Sequence, residues 1–416
     1  MWKRWRIRIL LFLAVLGPGF ITANVDNDSG GIFTYSQAGA QYGYTLLWTM
    51  IPITIALIVV QEMCSRMGVV TGKGLSDLIR EEFGLRLTFI MMVLLVVLNY
   101  TNVVTEFIGI AGSLHLFHVS KFISVPICAL LVWALVLKGD YKTTEKIFLV
   151  ASAVYIAYIF AGVLAHPDWH EALVATVRLP AKSVWRDKTY IYMAIGVVGT
   201  TIAPWMQFYL QSSVVEKGIP VKDYSASRLD VIVGCFFTDL IAWFIVVACA
   251  ATLYVHGMGA IKDAADAAEA MGPLAGDYAF ILFAFGLFNA SLFAASILPL
   301  STAYTVCEGL GVESGVDKSF KEAPFFYWLY TLLIVGGAVT VIVLPETLYV
   351  NVVILSQVLN GVLLPVVIIP MLLLINRKDL MGEHKNSRLW NVIAWATCAI
   401  VIVMTGVMLW GMLPGH

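Results

Sequence analysis

Eleven apolar stretches, each long enough to cross the ~30 Å hydrocarbon core of a bilayer, recur along these 416 residues and exclude an ordinary soluble fold. They lie near 7–39, 46–65, 88–112, 119–138, 146–165, 190–216, 230–254, 276–305, 325–345, 348–375 and 390–412. With 60% hydrophobic residues and only 13% charged ones, the chain is far more apolar than a soluble domain. Lipid tolerates only helices and closed barrels, and runs of this length select helices. The fold class expected is an all-α polytopic membrane protein. No linker separates two soluble domains, so residues 1–416 read as one transmembrane domain.

The basic residues orient the spans, because short cytoplasmic loops hold most of the Lys and Arg. Lys3, Arg4, Arg6 and Arg8 precede the first segment and place the N-terminus inside. Twenty of the 26 Lys and Arg then fall in inner loops, including Arg66, Lys73, Arg80, Lys217, Arg228, Lys318, Arg377 and Lys385. The six outer ones are Lys121, Arg178, Lys182, Arg186, Lys188 and Lys262, and eleven spans leave His416 outside. The expected location is the plasma membrane, with the N-terminus cytoplasmic and the C-terminus extracytoplasmic. No small-x-small cleavage site follows the basic start, so the first segment reads as a retained span. The six cysteines show no CxxC spacing and predict neither disulfides nor a thiolate metal site. A net charge of −1 gives no sign of a nucleic-acid partner. The lipid bilayer and a small cation are the partners expected, and a monomer is the simplest assembly.

Two spans are interrupted. In the first, Asn24, Asp26, Asn27, Asp28, Ser29, Gly30 and Gly31 break an apolar run that resumes afterwards. A charged side chain at bilayer depth costs at least ~2.5–3.5 kcal/mol on insertion scales, so two aspartates here need a compensating partner. A bound cation is the obvious one, and the broken turn offers backbone oxygens as further ligands. In segment six, Gly196, Gly199, Thr200, Thr201 and Pro204 punctuate the run in the same way. Interruptions five segments apart suggest two five-helix halves of opposite orientation, about 7–165 and 190–375, with helix 11 at about 390–412 appended.

Several motifs carry a family resemblance. They are Gly17-Pro18-Gly19-Phe20, Gln37-Ala38-Gly39-Ala40-Gln41-Tyr42-Gly43-Tyr44, Arg66-Met67-Gly68-Val69-Val70-Thr71-Gly72-Lys73, Thr105-Glu106-Phe107-Ile108-Gly109, Leu355-Ser356-Gln357-Val358 and Arg377-Lys378-Asp379-Leu380-Met381-Gly382. Together they resemble the Nramp divalent-metal transporters over most of the chain. The resemblance implies a LeuT-type inverted repeat of five plus five helices with an eleventh helix, helices 1 and 6 discontinuous, and transport of divalent cations without a cofactor.

Departures from the family pattern narrow this expectation. The family's Asp-Pro-Gly-Asn falls on Asp28-Ser29-Gly30-Gly31, so the Asn ligand becomes glycine. Its Met-Pro-His falls on Ala203-Pro204-Trp205, so the thioether becomes a methyl group. Oxygen donors remain, which suit Mg²⁺ and also accept Mn²⁺. The small Gly31 and Ala203 are expected to leave room for water on the ion. Asp28 is the first candidate ligand and Asp26 the second, with Gln357, Asn24 and the segment-six backbone adding oxygens or holding water. The pattern is similar to that of the prokaryotic Nramp-related magnesium transporters. The family's proton-associated His positions read Trp205 and Gln211, and its segment-three Asp position reads Val103, leaving Glu106 alone. None of the seven histidines is placed for a mid-membrane relay. Little or no proton coupling is therefore expected, with entry driven by the ion gradient and a potential worth ~4.6 kcal/mol per 100 mV for two charges.

Plainer roles exist for several of these residues. Asp28 suits a helix N-cap, Glu106 a partner for Asn102, Asp230 a solvated pair with Arg228, and Glu62 a helical pair with Arg66. Asp239, Asn289 and Asn360 suit either a pathway lining or helix-to-helix hydrogen bonds. The loop run His166-Pro167-Asp168-Trp169-His170-Glu171 holds metal-ligand residue types, although a site there is not expected. Three other functions stay open: a proton-coupled Mn²⁺/Fe²⁺ transporter, a non-transporting metal sensor, and a sodium-coupled solute transporter. No motif supports an enzyme.

Overall fold

The computed structural model describes residues 17–138, 141–259, 261, 265–268 and 276–411. The basic cluster at Lys3–Arg8, the start of the first segment, Lys262 and the C-terminal end with His416 lie outside the described residues.

In chain order the helices are α1 (Pro18–Val25), α2 (Ser29–Tyr42), α3 (Met50–Thr71), α4 (Leu75–Phe83), α5 (Leu85–His115), α6 (Lys121–Lys138), α7 (Tyr141–Val154), α8 (Ile156–Leu164) and α9 (Trp169–Val177). They continue as α10 (Lys188–Thr201), α11 (Pro204–Glu216), α12 (Tyr224–Cys249), α13 (Asp277–Leu310), α14 (Pro324–Val343), α15 (Tyr349–Ile375) and α16 (Arg388–Gly411). Among the described residues nine helical stretches are long and apolar enough to cross a membrane, and Lys121–Leu137 is a shorter apolar helix.

One of the nine, Ser29–Thr71, is two spans. Asn27 bonds Thr238 at one end of this stretch, while a Cβ on Gly39 would lie 2.4 Å from Val246 O, so α2 runs parallel to α12. Ser65 then meets Ser227 at 2.7 Å, so α3 runs back along the same helix. The reversal occupies the 3-10 turn Gly43–Thr49, which Gly43 opens at φ 58°. The outer loop near 166–189 folds in part into α9, with Asp168 capping it through Glu171 N at 2.9 Å. The short amphipathic α4, absent from the sequence reading, lies between the spans α3 and α5.

The loops sort to the two ends as their charges predict. At one end Arg66 Nη1 donates to His384 O at 3.0 Å, Arg80 to Glu308 O at 2.6 Å, and Lys217 pairs with Glu145 at 2.6 Å. At the other, Trp48 Nε1 donates to the Tyr190 hydroxyl at 3.0 Å and Lys121 Nζ to Leu344 O at 3.1 Å. The perimeter between is apolar and exposed, including Phe122, Leu130, Val150, Phe160, Trp328, Val339 and Val403, as lipid-facing surfaces are. Polarity is turned inward instead. Buried and central lie Asn24, Asp26, Asn27, Asp28, Glu106 and Asp239.

Candidate ion site at two interrupted helices

The first interruption is residues 26–28, between α1 and α2. The N-terminus of α1 is held from across the molecule: Gly17 N, Gly19 N and Phe20 N donate to the Asp230 carboxylate at 2.8, 2.7 and 3.1 Å. Pro18 opens the helix without an N–H to satisfy. The crossing is backbone to backbone, for a Cβ on Gly234 would lie 2.6 Å from Phe20 Cα. This overturns the expectation of a solvated Asp230–Arg228 pair. Asp230 is buried as a clamp, and the Arg228 guanidinium instead lies 5.3 Å from the Trp390 ring centre.

At the start of α2 two carboxylates satisfy helix N–H groups. Asp28 accepts from Gly31 N at 2.7 Å, so the capping role is real, and Glu106 on α5 accepts from Ser29 N at 3.1 Å. Glu106 does not pair with Asn102, whose amide nitrogen donates to Asn360 Oδ1 at 3.2 Å. Capping engages one oxygen of each acid, and the Glu106 Oε1 is buried without a partner. Gln357 on α15 reaches this turn so closely that a Cβ on Gly30 would lie 2.0 Å from its Nε2.

Gly31 has a different role from the one expected. A Cβ there would lie 2.6 Å from Asp26 O and 3.4 Å from Asp28 Oδ1. The glycine therefore makes way for the carbonyl of the broken turn rather than for water.

On the far side of the break Asn24 Nδ2 donates to Phe20 O at 2.7 Å, while its Oδ1 has no partner. Both oxygens of Asp26 and both of Asp239 are buried and unpartnered among the described residues. Asn27, next to Asp26, bonds Thr238, the residue before Asp239, and this brings Asp239 to the same break. Four buried carboxylates thus surround one break, and none of the ion pairs among the described residues includes them. Buried charges without partners cost several kcal/mol each. Among the described residues no three His, Cys, Asp or Glu converge tightly enough to hold an ion alone, so an ion here draws on amides, backbone carbonyls or water.

The second interruption, Ile202–Ala203, brings backbone rather than charge. Ala203 is extended, Pro204 starts α11, and no side chain caps the helix. With its amide nitrogen turned to the carbonyls, Gln207 donates to Ala203 O and Pro204 O, both at 2.7 Å. Trp205 is buried here with its indole N–H unpartnered. Gln211, a candidate for the coupling path, lies elsewhere: its Nε2 donates to Lys73 O at 2.8 Å and ties α11 to the α3–α4 turn. At the same basic end Ser212 donates to Glu308, which also closes that half. The other half is open. A cavity of about 520 Å³ lies among α2, α10 and α15, with exposed Gln41 and Thr189 at its mouth and Gln357 against the break at its depth.

Of the residues singled out in the sequence, Asn24, Asp26, Asp28, Gly31, Glu106, Asp239 and Gln357 gather at the first break, and Ala203 with Trp205 forms the second. The sequence reading foresees neither the Asp230 clamp nor the bond of Asn27, whose amide nitrogen donates to Thr238 O and Oγ1 at 3.0 and 2.7 Å. Asn27's position between two aspartates was the available signal. Asp230 had none, because its partners lie more than two hundred residues away. Glu62 and Arg66 pair at 3.1 Å as expected, but buried and joined by Tyr224. Asn289 bonds Ala151 O at 2.9 Å, a helix-to-helix role.

The profile of the Nramp family, described as natural resistance-associated macrophage protein-like, matches residues 19–411. A divalent metal cation transporter MntH from Deinococcus radiodurans is 27% identical over 98% of this chain and 91% of its own length. One from a Nostoc species is 28% identical over 96% and 90%. Their names are those of transporters, not enzymes. Among solved structures, a mutant of the Eremococcus coleocola manganese transporter superposes with a TM-score of 0.77 at 21% identity, covering 95% of this chain and 85% of that one. A Na⁺-coupled sialic acid symporter superposes with a TM-score of 0.60 at 11% identity over 93% and 89%. The fold is thus the one shared by Nramp and LeuT-type transporters, and the chain belongs to the Nramp family.

Proposed function

We propose that this protein carries divalent cations across the plasma membrane by alternating access, that Mg²⁺ is its principal cargo with Mn²⁺ also accepted, and that protons are coupled little or not at all. One observation carries the reading: Asp26, Asp28, Glu106 and Asp239 lie buried around a broken span with no basic partner among the described residues. A transient cation supplies the missing charge. Asp28 leads the ligand set, with Asp26, Asn24, Gln357 and the carbonyls of both breaks beside it.

The donor chemistry supports Mg²⁺. Oxygen predominates at the breaks, Ala203 contributes no sulfur, and hard ions favour oxygen. Mg²⁺ keeps several waters, and the 520 Å³ cavity ending at Gln357 has room for a hydrated ion. With the opposite half closed by Asp230, Gln211 and Glu308, the conformation is one loaded from outside, given basic loops facing the cytoplasm. Hydrophobic Val103 and the remote Gln211 leave Glu106 without a relay, which favours uncoupled entry. The inverted-repeat halves and a monomeric assembly belong to the same reading.

The names of the relatives favour a second reading, proton-coupled Mn²⁺ transport. Uptake into proteoliposomes under an inside-negative potential, with a pH-sensitive dye and Mn²⁺ competition, separates the two. Mg²⁺ influx without a proton signal is expected. Acidifying Mn²⁺ uptake with no Mg²⁺ flux would establish the second reading instead.

A further inference from the structure

The two faces of the first break are chemically different. On the side of α5 and α15, Asp28 and Glu106 cap α2 and Gln357 packs on Gly30. On the side of α12, six side-chain oxygens are buried without a partner among the described residues: Oδ1 of Asn24, Oδ1 of Asn27, and both oxygens of Asp26 and of Asp239. All four residues are at most 4% exposed.

The orientation of the two amides is forced. Asn24 Nδ2 faces Phe20 O, and Asn27 Nδ2 faces Thr238 O at 3.0 Å. A carbonyl only accepts, so the nitrogens must point there and the oxygens away. The Asn27–Thr238 bond also brings the break alongside Asp239, the next residue of α12.

Nearby hydroxyls supply too few protons for six oxygens. Thr54 reaches Asp239 and also Met50 O, the latter at 2.7 Å, with a single proton to give. Thr201 donates to Val197 O, so the Tyr35 hydroxyl donates to Thr201 at 2.7 Å. The Cys235 thiol, one turn before Asp239, is a weak donor. Among the described residues no Lys, Arg or His pairs with either acid. One proton shared between Asp26 and Asp239 would satisfy two of the six oxygens and leave both amides orphaned. A divalent cation neutralises two carboxylates and accepts amide oxygens as well.

We infer that Asn24, Asp26, Asn27 and Asp239 form a second cation subsite, on the α12 face of the first break, that takes a hard divalent ion with part of its water shell. This rests on the reading of the protein as a divalent-cation transporter. Two carboxylates and two amides supply too few ligands for a dehydrated ion, so water completes the shell. The chain then holds two ions: Asp26 and Asn24 leave the set led by Asp28, which keeps Gln357 and the carbonyls of the breaks, and join Asp239 and Asn27 around the second.

The test counts ions on the full-length protein in lipid nanodiscs, with Mn²⁺ as an EPR-visible probe displaced by Mg²⁺. Wild type should bind two Mn²⁺ per chain. Asp239→Asn and Asp28→Asn should each bind one, and the double variant none. Asp239→Glu keeps the charge and should restore the second ion, which separates ligand loss from misfolding. One ion in wild type, retained in Asp239→Asn, overturns the subsite. Loss of all binding in folded Asp239→Asn overturns it too, because the residues would then form a single site. Proteoliposome uptake measured on the same preparation keeps the readings apart: one bound ion with Mg²⁺ flux leaves transport standing, and two ions without flux leave only the subsite.

Discussion

The two interruptions solve the same steric problem with opposite chemistry. Residues 26–28 sit among four buried carboxylates, and the helix ends beside them are held by Asp230, Asp28 and Glu106. Residues 202–203 bring no charge and no side-chain cap, only an extended Ala203 before Pro204 with Gln207 on the carbonyls. On the proposed reading the first break attracts a cation and the second shapes its site. Charge changes should therefore act at residues 26–31, and changes of size or softness at residue 203.

The largest effect expected is from Asp28→Ala, which removes the proposed leading ligand together with an N-cap worth ~1 kcal/mol. Mg²⁺ uptake should be abolished while the protein remains folded by thermal melting, and full activity would refute the site. Next is Gly31→Ala, whose methyl group would press on Asp26 O. Overpacking of this kind costs ~1–3 kcal/mol, so uptake should fall by about tenfold. Unchanged uptake would mean that the turn relaxes freely and that glycine there is incidental.

Asp230→Ala tests whether the first break depends on its distant clamp. It leaves the N–H groups of Gly17, Gly19 and Phe20 without their acceptor, at ~1–3 kcal/mol for each unsatisfied group. Hydrogen–deuterium exchange over residues 17–21 should accelerate by about tenfold or more, as the inner half opens more often. The smallest effect is expected at the second break. Ala203→Met should improve Cd²⁺ competition by only a few-fold, because a thioether adds one soft ligand and Gly31 still lacks a side chain. A Cd²⁺ preference as strong as the loss in Asp28→Ala would show that the second break, not the first, sets the ion.

Much of this arrangement was legible in the sequence, for local reasons. Polar residues inside an apolar run, glycines and Pro204 mark a break wherever they occur, and loop charge alternates with each crossing. Asp28 could be read both as ligand and as cap, and the structure shows the cap directly. Gly31 was misread because its neighbour, the Asp26 carbonyl, depends on backbone direction in the turn. For Glu106 the sequence offers a pathway role or, more plainly, a bond to Asn102 one helical turn away; the partner found is Ser29 N, 77 residues distant. Gln211 looked like a pathway residue until its bond to Lys73 O placed it at the closed end.

By itself the sequence determined that the chain crosses a membrane repeatedly, that two crossings are broken, and that acidic oxygens lie at the first. These follow from hydrophobicity, charge and helix-breaking residues, which act over a few neighbours. Only the tertiary structure decided that α12 brings Asp239 to the first break, that Asp230 holds α1, and that Asn27 turns its oxygen away from Thr238. Hydrogen-bond direction and the meeting of helices two hundred residues apart are set by packing of the whole bundle, and no local pattern encodes them.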